Sequence, residues 1–173
     1  MLTYPIVLLV VVAVLYGSFR VLGGGHEPVP AEDYRQLLRR LAGYTAERVV
    51  ELDAVLGRPR PLPPAVPGTS RTPADPLVEV GAEVRRKLTG YRQQLAQVEV
   101  SAGGDELDML GSARTLLTAA IEDHSWVCRL LEGGSYRENP GIQDAVAALR
   151  DHAARCMEAV DGALAGGVPA GVL

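Results

Sequence analysis

His124 and His152 are the side chains of this sequence best suited to proton or metal chemistry. An imidazole titrates near neutral pH and ligates many divalent metals. His124 follows Glu122-Asp123, and His152 follows Asp151. Suppose the two lie on adjoining antiparallel helices, with Leu131 facing Ile142. His124 then stands opposite Leu149, and His152 lies about 4.5 Å further along the axis. That spacing makes the pair weak candidates for a shared metal. The donor pattern argues against it. Di-metal helical bundles supply Glu-x-x-His motifs from paired helices, whereas Ile121 and Leu149 stand three residues before these histidines. A hydrogen-bonded histidine in the core or at its boundary is the expectation.

Two cysteines, Cys128 and Cys156, complete the reactive set. Two are too few for a disulfide scaffold or a four-Cys zinc site. A nucleophilic thiol needs a histidine or a cation to lower its pKa. Cys156 has Arg155 beside it and His152 one turn back, while the assumed register places Cys128 opposite about Ala145, far from any histidine on the facing helix. Both therefore read as small buried apolar residues that do not pair with each other. The sequence holds no G-x-x-x-x-G-K-[ST], G-x-S-x-G or H-E-x-x-H motif, and no G-x-G-x-x-G after a strand. No catalytic residue, cofactor or enzymatic activity is expected.

These residues sit on a chain with strong helical patterning. Apolar residues make up 47% of it, ample for a core, and a single Phe and a single Trp disfavour an aromatic-rich β-sandwich. Four stretches carry one apolar stripe each. The first, about 30–56, places Tyr34, Leu37/Leu38, Leu41, Thr45, Arg48/Val49, Leu52 and Val55/Leu56 on its seam. The second, about 73–100, has Leu77, Gly81, Val84, Leu88, Tyr91, Leu95 and Val98, with Thr72 as N-cap and Pro73 at the first helical position. The third, about 105–132, has Leu107, Leu110, Ala113/Arg114, Leu117, Ile121, His124, Val127/Cys128 and Leu131. The fourth, about 140–165, opens on Asn139-Pro140 and has Ile142, Val146, Leu149, Ala153, Cys156, Val160 and Ala163/Leu164. Similar lengths and one stripe apiece predict an all-α fold, an up-and-down four-helix bundle spanning residues 30–165. Short breaks make the second, third and fourth helices antiparallel neighbours. The alternative is a three-helix bundle with the first helix detached, because that seam is the least regular.

Residues 57–72 hold Pro at 59, 61, 63, 64 and 67 and form an extended linker. At about 3.1 Å per residue it can cross the whole bundle, so the first helix can run either way against the second. Its Arg58-Pro59-Arg60-Pro61-Leu62-Pro63-Pro64 segment is similar to the basic-x-x-P-x-x-P ligands that SH3 domains read. Arg58, Pro61 and Pro64 are accordingly interaction candidates. Trp126, beside the third seam, is expected to widen the core; if exposed, it is a fourth candidate, an anchor for a partner. Arg85-Arg86-Lys87 is the sole basic run, read as a solvated face, with phosphate or lipid-headgroup binding as the alternative.

The N-terminus points to a membrane. Ile6–Leu22 reads IVLLVVVAVLYGSFRVL, with Arg20 its only charge. Counted from Tyr4, the run makes about 28 Å of helix, close to the roughly 30 Å hydrocarbon core. A cleaved signal peptide would need a basic start and a small-x-small site, and neither is present. Residues 1–22 are thus expected to be a single transmembrane helix contacting the bilayer through Ile6–Leu22. Arg20, Arg35, Arg39 and Arg40 on its C-terminal side favour a cytoplasmic main domain. Residues 23–29 form a Gly/Pro spacer, and 166–173 an uncharged, disordered tail. With 17 basic and 21 acidic residues, the chain has no basic field for nucleic acid.

The expectation is a single-pass protein of the cell membrane whose helical bundle serves as an interaction or scaffold module. It would bind an unknown protein partner, and a homo-oligomer is compatible. The alternative is a sensor or ligand- or metal-binding bundle with a pocket near His124 and His152.

Overall fold

A computed structural model of the chain describes residues 28–57 and 75–165. The segment 1–22, the linker residues Arg58, Pro61 and Pro64, and the tail lie outside those residues. Within them, no helix is long and apolar enough to cross a membrane.

The described chain is mostly helical and has four helices: α1 (Ala31–Leu56), α2 (Pro76–Gln97), α3 (Gly104–Glu132) and α4 (Pro140–Leu164). Two short strands, β1 (Val29–Pro30) and β2 (Val100–Ser101), pair in parallel with Val29 opposite Val100. The helix starts follow local chemistry. Asn139 caps α4, its side chain accepting from the backbone N–H of Gly141 at 3.0 Å and of Ile142 at 3.3 Å. Acidic Glu32 and Asp33 occupy the first turn of α1, as the helix dipole favours.

The second helix departs from expectation at both ends. It starts at Pro76, with Asp75 rather than Thr72 as cap. A residue before proline is driven out of the helical region. Asp75 is accordingly extended (φ −62°, ψ 124°), and its carboxylate accepts from the N–H of Leu77 at 3.1 Å. At the far end Val98 turns extended and Val100 enters the strand pair. β-branched residues tolerate that geometry better than a continued helix. Pro30 lacks an N–H, which suits a ladder of only two residues.

Ion pairs fix the helix directions. Between α1 and α2, Glu51 approaches Lys87 at 4.0 Å, and the Tyr44 and Tyr91 rings lie 5.9 Å apart. Residue numbers rise on one helix as they fall on the other, so the pair is antiparallel. Arg85–Glu132 and Arg92–Glu122 do the same for α2 and α3, at 2.6 and 3.3 Å. Asp123 pairs with His152 across α3 and α4, and the short connection 133–139 turns these two helices antiparallel. Arg39 donates to the carbonyl of Leu164 and Arg150 pairs with Asp53, closing α4 against α1 in the same sense. The bundle therefore runs up, down, up, down. Gly57 and Asp75, which flank the linker, stand at the opposite end from β1.

The main core spans all four helices, and a small second cluster joins Ala120 of α3 to Ala153 and Cys156 of α4. The main core joins Tyr34, Leu38 and Leu41 of α1 with Val84 and Leu88 of α2, Leu117 and Ile121 of α3, and Val146 and Val160 of α4. α1 is thus packed into the bundle rather than detached. α3 packs against every other helix, whereas α1 and α4 meet sparsely. Some seam positions lie outside the core. Leu107 is 40% exposed, and Ile142 and Leu149 are only half-buried.

Candidate functional site

The structure separates the two histidines. His124 is 4% exposed, held by α3 among residues that bury the centre of the bundle. His152 lies on the outer side of α4, where its Nδ1 meets Oδ2 of Asp123 at 2.5 Å. Among the described residues, no group of three His, Cys, Asp or Glu side chains could hold a metal ion.

His152 belongs to a different constellation, one that crosses two helices. Its Nε2 lies 3.9 Å from Sγ of Cys156, one turn along α4. Asp123, His152 and Cys156 thus line up as carboxylate, imidazole and thiol. Read from the thiol, this is the order of a nucleophile, its base and the group that orients the base. The rest of the requirement is unmet. Burial pushes the Cys156 thiol up, Asp123 adds to that, and Arg155 only partly offsets both. Cys156 sits in mid-helix, where backbone N–H groups are spent on the helix and cannot stabilise an oxyanion. The arrangement holds α3 to α4 by a charge-assisted contact and keeps the thiol protonated. Cys128 is more inert still. It is fully buried, with its pKa pushed up to about 12 by burial and by Glu132. Both thiols are free.

His124 faces a different feature, an open cleft of about 600 Å³ between α1 and α4. Val49 and Val50 of α1 and Ala147, Ala154 and Met157 of α4 wall it, and His124 forms part of its floor. The cleft exists because small side chains face each other across the sparse α1–α4 seam. Burial lowers the pKa of His124; Asp123 and Asp53 oppose that shift, and Arg150 reinforces it. No hydrogen bond to its ring is present among the described residues, and its ring nitrogens are not among the fully enclosed polar atoms without a partner, which are those of Tyr34 and Arg48. His152 does not line this cleft.

A lowered folded pKa has a definite consequence for stability. As pH falls below the ordinary imidazole value of about 6.5, the unfolded chain gains a proton at His124 and the folded chain does not. This contribution to stability is present above that pH and is lost progressively below it. Replacing His124 with Phe is expected to flatten that part of the pH profile. Urea midpoints of both proteins between pH 7.5 and 5 measure the difference, and equal slopes would contradict it.

Trp126, expected in the core, is 53% exposed. It stands one position off the buried set of Val127, Cys128 and Leu131, and the guanidinium of Arg129 lies 4.7 Å from its ring centroid. The side chain points outward because Ala120, His124 and Val127 already fill the inward face of that turn. Two of the three cations in the basic run on α2 are paired, Arg85 with Glu132 and Lys87 with Glu83 at 2.7 Å, while the exposed Arg86 donates to the Ala82 carbonyl of its own helix. A headgroup site would need those cations free.

Comparison with known protein families, characterised proteins and solved structures finds no match to this chain.

Proposed function

We propose that the chain is a non-enzymatic, membrane-anchored interaction module. Ile6–Leu22 would tether it to the bilayer, and the four-helix bundle would present a docking face to a protein partner. The observation that carries this reading is Trp126, exposed with Arg129 stacked against it. Trp and Arg are the residues most enriched at the energetic centres of interfaces. An exposed indole with a cation on its face is a ready anchor.

The topology supports a tethered arrangement. The spacer meets the bundle at β1, so that end would face the membrane. Gly57 and Asp75 lie at the other end, and the linker carrying Arg58, Pro61 and Pro64 would start and finish there, away from the bilayer. Orientation rests on Arg20, since Arg35 and Arg39 are engaged within the bundle, with Glu106 and the Leu164 carbonyl. It favours a cytoplasmic bundle in a single-pass protein of the cell membrane.

The test is a photo-crosslinking side chain at position 126 of the full chain in its native membrane, paired with the Trp126→Ala variant. One discrete protein adduct is expected. Trp126→Ala should weaken that partner about 30-fold, the effect of losing a hot spot of roughly 2 kcal/mol, and leave the melting curve unchanged. Adducts to lipid alone, or an affinity indifferent to Trp126, would contradict the reading.

A further inference from the structure

We propose that the α1–α4 cleft is a binding site for a small organic cation, an amine with an apolar body, whose N–H donates to the His124 imidazole. The site is distinct from the Trp126 face and independent of the anchored-module reading. Three observations carry it.

The first is size and lining. A cleft of about 600 Å³ falls within the range of small-molecule sites, and its Val49, Val50, Ala154 and Met157 side chains offer an apolar wall. The second is His124. It is 4% exposed, faces the cleft and has no hydrogen-bond partner among the described residues. An imidazole kept neutral offers one lone pair, and a ligand donor would satisfy it. The third is charge. Asp53, Asp151 and Asp161 line the cleft with only Arg150 to oppose them, and Arg150 is paired with Asp53. Asp151 and Asp161 have no ion pair among the described residues. The rim is therefore net acidic and selects a cation over an anion.

The same geometry makes binding pH-dependent. The charged groups facing His124 are Asp123 on its own helix, Asp53 on α1 and Arg150 on α4. Protonating the imidazole removes its acceptor and places a positive charge beside the incoming cation. Affinity should fall on acidification, in step with the His124 titration.

The test uses the full chain in lipid nanodiscs and three probes of one shape: 2-naphthylmethylamine, 2-naphthylmethanol and 2-naphthoate. Calorimetry gives affinities after subtraction of empty nanodiscs, and NMR follows the His124 ring. The amine should bind at one site, about tenfold or more tighter than the carboxylate, and should shift the His124 ring resonances. Asp151→Asn and Asp161→Asn, both exposed, should each weaken it about two- to fivefold without altering the melt. His124→Gln should remove the acid-side loss of affinity if it folds; the two Asp variants test the site regardless. Equal binding of amine and carboxylate would overturn the proposal. So would unmoved His124 resonances, occupation of the cleft by a second copy seen as a concentration-dependent dimer, or binding of only a basic amphipathic peptide there.

Discussion

Truncating Leu117 to Ala is expected to lower the unfolding free energy by about 2–5 kcal/mol, the range for emptying a well-packed aliphatic site. Leu117 is fully buried at the middle of α3, the helix that touches all the others, so its cavity has walls from several elements and little freedom to collapse. Against a total stability of roughly 5–15 kcal/mol for an ordinary domain, this loss brings the bundle near its limit. Leu149 looks equivalent in the sequence, mid-helix and on a seam. It is only half-buried at the edge of α4, and Leu149→Ala should cost clearly less. Urea midpoints at unchanged m-value measure both. Equal losses at the two positions would show that the core is centred elsewhere.

Gly81 gives the second large effect. It lies on the face of α2 that packs against α3. A Cβ there would stand 3.2 Å from the carbonyl oxygen of Cys128 and 3.5 Å from Cβ of Leu131. The closer atom is backbone and cannot swing aside. Gly81→Val should therefore force the helices apart and cost about 1–3 kcal/mol, as overpacking does. Gly43, Gly90, Gly111 and Gly162 provide the contrast, since a Cβ at any of them meets nothing within 4 Å. Alanine at those positions should gain up to about 1 kcal/mol each from helix propensity alone. Thermal melts of the five variants separate close approach from mere composition. A Gly81→Val protein as stable as the parent would contradict the α2–α3 packing.

These glycines illustrate what the sequence could show. Five interior glycines look alike in a helical pattern, and only the helix faces distinguish the one that is needed. The four helices were legible because caps and apolar spacing agreed, most clearly at Asn139-Pro140. The start of α2 was misplaced because Thr72-Pro73 and Asp75-Pro76 are both plausible caps, and the constraint of Pro76 on Asp75 decides between them. The β1–β2 pair left no usable signal: it spans two residues a side and depends on β1 and the α2 terminus sharing one end of the bundle. The direction of α1 against α2 was open, since the Pro-rich linker is long enough for either. Trp126 was misassigned because one position on a helix turns a side chain by about 100°, enough to move it from core to surface.

The site was legible in part. The His152–Cys156 contact follows from their spacing of one helical turn. Asp123 joins them only through the exact pairing of α3 with α4. A pocket near His124 was an alternative reading of the sequence, but its walls on α1 and α4, beneath Val50 and Ala147, left no signal, and His152 does not line it. Alanine and valine look the same in a pattern whether a helix packs against them or a gap is left.

The central claim is that this bundle works at the end of a retained membrane anchor. Its most direct test is the intact mass of the chain recovered from alkaline-washed membranes. The account predicts a membrane-bound chain that keeps residues 1–22, and a version lacking them that appears in the soluble fraction with the same cooperative helical melt. A mature chain beginning near Gly25 or His26, recovered outside the membrane, would contradict it.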